Sequence, residues 1–160
     1  MTGENNHTRP SFIVDNMLRG LARWLRFLGF PSEIVMSVPE AEKIRDLHPE
    51  AIFLTSSYNH LADFAGGKSH AVESGTIKEQ LHELESAFGI FGRIDLLSIC
   101  SVCNVPIEPA TKSQVKDRVP EKVWRSFDKF WQCPHCHRIY WKGGHVERLI
   151  EKLKRMDIPL

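Results

Sequence analysis

Apolar and polar positions fall into short alternating blocks over the first ninety residues. Phe12, Ile13 and Val14 form an apolar run that ends on Asp15, which predicts a buried strand over residues 11–15. From 16 to 28 the period changes. Leu18, Leu21, Ala22, Leu25 and Leu28 recur at helical spacing, while Arg19, Arg23 and Arg26 fall on the opposite side. Gly29 closes that helix as a C-cap would. Residues 32–36 predict a second strand. A second helix begins at Pro39 and Glu40, with proline in the first turn, and ends before Pro49. A third strand covers 51–55, a short helix or loop 56–64, and a fourth strand 69–72. A last amphipathic helix over 76–88 turns Ile77, Leu81, Leu84 and Phe88 to one side. Thr76 and Glu79 form its capping box. Strands alternating with helices at this rhythm predict an α/β domain built on a parallel sheet.

Beyond residue 98 the pattern breaks down and the cysteines begin. Cys100 and Cys103 form one C-x2-C pair, and Cys133 and Cys136 form another. All four cysteines of the chain are used. Each pair lets two thiolates leave one tight turn toward one ion, and two such turns complete a tetrahedral structural zinc site. Disulfides are the alternative. They are disfavoured by the absence of a secretory signal and by the poor geometry of a bond closed within one C-x2-C turn. The 29 residues between the pairs exceed the usual ribbon spacing of about 15–20, so an insertion separates the two knuckles. Gly143 and Gly144 end the ribbon, and residues 145–156 predict a closing helix. The expected organisation is a disordered tail over 1–10, an α/β domain over 11–97, and a zinc ribbon with its closing helix over 98–160.

Composition changes little in this picture. Of the 160 residues, 42% are hydrophobic and 26% charged, and the net charge is +1. A globular chain is implied, and any surface for nucleic acid must be local. No apolar run reaches the length of about 20 residues that spans a membrane. Zinc thiolates without a secretory signal point to the cytoplasm.

Ligands of a parallel sheet gather at the carboxyl ends of its strands. Asp15 stands at such an end, either as the N-cap of the following helix or as a ligand for a divalent cation. Glu40, Asp63 and Glu73 are the candidates for a second carboxylate. Arg19, Arg23 and Arg26 suit phosphate oxygens or form a solvated helix face. In the ribbon, Arg138 and Lys142 are candidates for RNA contact, and Tyr140 and Trp141 for packing the closing helix.

The run from Phe12 to Leu18, followed by Leu21-Ala22-Arg23-Trp24-Leu25-Arg26-Phe27-Leu28-Gly29-Phe30, resembles the opening signature of the Mut-7 C-terminal ribonuclease domain. The two cysteine pairs, with Asn104 and the run from Tyr140 to His145, resemble the zinc ribbon of that family. Leu54-Thr55 and Glu79-Gln80-Leu81 agree with its middle, and the likeness extends from about Phe12 to Leu149. The resemblance implies a PIN-like domain that cleaves RNA with Mg²⁺ or Mn²⁺ held by a cluster of acids. Asp15 matches the first acid, and Glu40 lies near a second acidic position. Ser57 stands where the family carries aspartate, and Ser74, Gly75 and Thr76 occupy the place of a further acidic pair. The expected function is therefore a metal-dependent ribonuclease or RNA-processing protein with a degraded catalytic cluster. The alternatives are an RNA-binding module without catalysis, or a scaffold associated with a ribonucleoprotein or protein partner.

Overall fold

Two central strands, β1 (Phe12–Asp15) and β3 (Ile52–Thr55), are buried along their whole length. Their sequences are almost continuously apolar, as a parallel strand covered on both faces requires. In the computed structural model, which describes residues 9–160, they lie side by side with Phe12 opposite Ile52 and Val14 opposite Leu54. The edge strands β2 (Ser32–Val35) and β4 (Lys68–Ala71) complete a parallel sheet in the order β2-β1-β3-β4. β4 is polar and half-exposed, which suits an unpaired edge.

The helices follow the predicted rhythm. A single 3-10 turn over Asn16–Leu18 leads into α1 (Arg19–Phe27). α2 (Val38–Leu47) starts one residue before Pro39, with Ser37 accepting from the Glu40 amide. Residues 56–64, for which the pattern allows a short helix or a loop, contain α3 (Tyr58–Asp63). α4 (Ile77–Phe88) carries the full capping box of Thr76 and Glu79 and ends on Gly89 at φ 63°. Ile13, Val35, Val38, Ala41, Ala51, Phe53 and Phe64 pack into one buried cluster. Phe12 meets the rings of Phe30 and Phe88 edge-on.

The chain divides into two compact units. One holds the described residues up to Leu25 together with Phe30–Arg93, and the other holds Arg26–Gly29 with Ile94–Leu160. The expected disordered tail falls mostly outside the described residues. In the second unit, Gly29 has φ +94° and a Cβ there would meet the Asp95 carbonyl oxygen at 2.5 Å. Glycine is required at that position for both reasons.

The second unit is built on a three-stranded antiparallel sheet of β5 (Glu108–Ala110), β6 (Phe130–Gln132) and β7 (Ile139–Tyr140). The insertion anticipated from the cysteine spacing consists of two short helices between β5 and β6. These are α5 (Lys112–Val115) and α6 (Glu121–Ser126). Trp124 ties them together: its indole N–H donates to the Lys112 carbonyl at 2.8 Å, and the ammonium groups of Lys112 and Lys116 lie over its ring. The closing helix, α7, runs over Gly144–Arg155. Among the described residues, no helix is long and apolar enough to cross a membrane.

Candidate functional site

The strand order reverses direction between β1 and β3, so the crevice beyond their carboxyl ends is where a ligand would enter such a sheet. Asp15 and Thr55 stand at those ends. Asp15 is only 3% exposed and makes no capping hydrogen bond to the helix that follows, so the N-cap alternative does not hold. The carboxylate turns across the sheet instead. Its Oδ2 accepts from the Thr55 hydroxyl at 2.8 Å and lies 2.5 Å from His60 Nδ1.

A closed chain of bonds holds this arrangement. Thr55 Oγ1 accepts from the Ser57 amide at 3.0 Å, and Ser57 Oγ in turn caps α3 by accepting from the His60 amide at 3.2 Å. Ser57 thus fixes the helix that carries the imidazole. Asn16, next in sequence to Asp15, buries its side-chain Oδ1 with no hydrogen-bond partner in the protein. A buried acceptor of this kind calls for a partner from elsewhere.

A second polar network ties β4 to α4. Glu83 Oε1 accepts from the amides of Glu73 and Ser74, both at 3.1 Å, and from the Ser74 hydroxyl at 2.9 Å. Its other oxygen lies 2.7 Å from His70 Nε2. Burial works against ionisation of Glu83, yet these partners together hold its carboxyl below the ordinary value. Glu73 is engaged by the Tyr58 hydroxyl, and the bond to this carboxylate raises the phenol pKa.

In the second unit, the four cysteines gather with their sulfur atoms all within 4.8 Å of one another. The two knuckles are built alike. The amide of the first cysteine donates to the carbonyl five residues on, from Cys100 to Val105 and from Cys133 to Arg138. The amide of the second cysteine donates to the sulfur of the first, from Cys103 to Cys100 and from Cys136 to Cys133, both at 3.4 Å. The next residue, Asn104 or His137, takes a positive φ and donates to the carbonyl of the first cysteine. A Zn–S bond of about 2.3 Å places the sulfurs of a tetrahedron about 3.8 Å apart. Cys100 and Cys136 sulfurs lie 3.7 Å apart, so the thiols fit a zinc site.

Tyr140 reaches the same cluster. Its hydroxyl donates to Cys100 Sγ at 3.1 Å and accepts from the Ser101 amide at 3.1 Å. Burial opposes ionisation of Cys100, but the Tyr140 hydroxyl and the amides of Cys103 and Val102 bring its thiol down to about 6. Burial and the neighbouring thiols push Cys103 up to about 12.

The model of the Mut7-C RNAse domain matches residues 10–153, nearly the whole chain. This chain belongs to the Mut7-C RNAse domain family. Membership supports a ribonuclease-like or RNA-related role, with RNA as the implied substrate. No curated protein and no solved structure matches the chain.

Within this Mut7-C chain the two implied kinds of metal fare differently. Zinc fits the cysteines. A catalytic Mg²⁺ or Mn²⁺ needs several oxygen ligands, usually carboxylates supplemented by water and phosphate. Among the described residues, the four cysteines are the only group of three or more His, Cys, Asp or Glu side chains in metal-binding range. Neither Asp15 nor Glu40 belongs to such a group. The Glu40 carboxylate accepts from the Met36 amide at 2.8 Å, a duty at the start of α2. The residues present at Asp15 therefore do not fit a hard-cation site.

The arginine stripe expected on α1 is also corrected. Arg19 and Arg23 are exposed, but Arg26 is buried and donates to the Ser101 carbonyl at 2.9 Å. Arg138 and Lys142 are exposed on the second unit. Tyr140, expected to pack the closing helix, serves the cysteine cluster. Two residues of consequence escaped the sequence reading, His60 and Tyr140 in its bond to Cys100. His60 left one signal: it lies three residues after Ser57, a capping spacing that starts a helix beside a strand end.

Proposed function

We propose that this protein processes RNA, with a PIN-like unit that works at the carboxyl ends of β1 and β3 and a zinc-stapled unit that contacts the nucleic acid. The observation that carries this reading is the placement of Asp15. A buried carboxylate that spends nothing on its own helix, and is held instead by Thr55 and His60, is organised for a ligand. Cleavage of single-stranded and structured RNA by the purified protein tests it. Asp15→Asn should lower the rate about 100-fold or more; an unchanged rate would remove Asp15 from the reaction.

The second unit supplies the charge. Of the 21 lysines and arginines, 13 belong to it, against eight of the 20 acids, a net charge of +5 that leaves −4 for the first unit. Arg138, Lys142, Arg148, Lys152, Lys154 and Arg155 are all exposed there. Arg19 and Arg23 extend the proposed RNA contacts to the first unit, whereas Arg26 is committed to a backbone carbonyl. RNA affinity should fall steeply with salt, because phosphate contacts release counterions.

A reading without catalysis, as an RNA-binding or ribonucleoprotein-associated module, is favoured by the lack of a third metal-ligating group beside Asp15 among the described residues. Tight, salt-dependent RNA binding without cleavage under any cation condition would select it. Zinc held by free thiolates suits a reducing compartment such as the cytoplasm.

A further inference from the structure

We infer that His60, oriented by Asp15, is the general base of an RNA transesterification at the ends of β1 and β3; this rests on the reading that the first unit acts on RNA. Four observations meet here. His60 Nδ1 is taken up by a carboxylate that is itself buried, at 2.5 Å. With Nδ1–H donated to Asp15, the tautomer is set and the free lone pair lies on Nε2. The His60 side chain is 38% exposed against 5% for Asp15, so the imidazole is open to solvent while its partner is not. The helix that carries it is anchored through Ser57 and Thr55 to the same carboxylate.

A buried carboxylate behind a solvent-facing imidazole is the arrangement that makes histidine an oriented proton acceptor. It also supplies what a hard-cation site would otherwise provide, namely activation of an oxygen nucleophile, from residues that do not assemble such a site. RNA carries its own nucleophile beside each phosphate. His60 Nε2 takes the proton of a ribose 2′-hydroxyl, and the 2′-oxygen forms a bond to the adjacent phosphorus. The bond from phosphorus to the 5′-oxygen breaks, and the departing oxygen takes a proton from water. The hydroxide that remains is neutralised by the imidazolium, which restores His60. The products are a 2′,3′-cyclic phosphate and a 5′-hydroxyl end. Asp15 acts through His60 and is a positioning residue.

The test uses the full chain loaded with zinc and a labelled single-stranded RNA, in buffer without added divalent cation and again with Mn²⁺. Cleavage should proceed without the cation and leave 2′,3′-cyclic phosphate ends. A 2′-deoxy substitution at the cleaved position should block it. His60→Gln should lower kcat about 100-fold, and imidazole added to His60→Ala should restore part of the rate. Asp15→Asn should lower kcat while KM for RNA stays within about threefold; because Asp15 is buried, the half-exposed His60 variants carry the test if that variant fails to fold. Cleavage that needs Mn²⁺, yields 5′-phosphate ends and survives His60→Gln would overturn the inference and leave the ribonuclease reading standing. Absence of cleavage with and without Mn²⁺ would overturn both.

Discussion

The hydroxyl of Tyr140 donates to the sulfur of Cys100 at 3.1 Å while receiving the Ser101 amide. It links the last strand of the second unit to the first knuckle. Groups that hydrogen-bond a metal ligand orient it and tune its basicity, and their loss costs about 10- to 100-fold in metal affinity. Tyr140→Phe should therefore weaken zinc binding by that factor while preserving the fold. Competition against a chromophoric chelator checks this; an unchanged zinc affinity would count against the role.

Zinc should be worth far more to the second unit than any single contact. Structural zinc in model peptides contributes about 10–16 kcal/mol of apparent binding free energy. Its core is small, with Cys100, Ile107 and Cys133 buried and Leu97, Val105, Trp131 and Tyr140 packed against them. Removing the metal, or replacing Cys133 by Ser, should abolish the near-ultraviolet signal of Trp131 and Trp141. Elemental analysis should find one zinc per chain in the wild type. Retention of the tryptophan signal after the metal is stripped would refute the structural role.

Glu83 should make the stability of the first unit sensitive to acid. Its folded pKa lies below its ordinary value of 4.5, so the carboxylate stabilises the native state above the unfolded pKa. That contribution is lost as pH falls through the folded value. Glu83→Gln keeps the shape but weakens four partnerships, including those of the Ser74 hydroxyl and His70. At pH 7 it should cost about 1–3 kcal/mol in denaturant unfolding. The gap between wild type and variant should narrow as the solution is acidified below the ordinary carboxylate range. A gap that widens instead would show the sign to be wrong.

Ser57→Ala should cost about 1 kcal/mol, since the Ser57 hydroxyl caps α3 through the His60 amide. Ser57→Asp should stay within about 0.5 kcal/mol of wild type, because aspartate caps as well as serine does. Thermal unfolding of the two variants side by side decides whether the cap, and not the hydroxyl's size, is what matters. Equal losses would argue against it.

Much of the fold could be read from local pattern. The apolar runs at Phe12 and Ile52 carry their own signature, as does the Thr76–Glu79 box, because each depends on neighbours within a few residues. The paired cysteines were equally plain, and the site they form is set by spacing. What stayed hidden depends on distant partners. Asp15 is a good capping residue by type, and only the approach of Thr55 and His60, 40 and 45 residues away, shows that its carboxylate points elsewhere. Arg26 keeps perfect helical step with Arg19 and Arg23, yet a carbonyl 75 residues on buries it. Tyr140 and Cys100 are 40 residues apart, and no periodicity joins them. Periodicity reports which side of a helix is polar; it does not report which polar groups are spoken for.

The two knuckles close on themselves, each with its own set of backbone bonds, and Glu108–Ala110 pairs with Phe130–Gln132 to hold them in register. Everything between Thr111 and Lys129 hangs from that frame without supplying a sulfur. Loop closure grows only slowly with length, by about 0.6 kcal/mol for each doubling. Val115, which is fully buried, and Arg118, which donates to the His137 carbonyl, tie parts of this stretch to the ribbon, so its exposed turns are the places where a foreign peptide should be grafted onto the metal-clamped base at least cost.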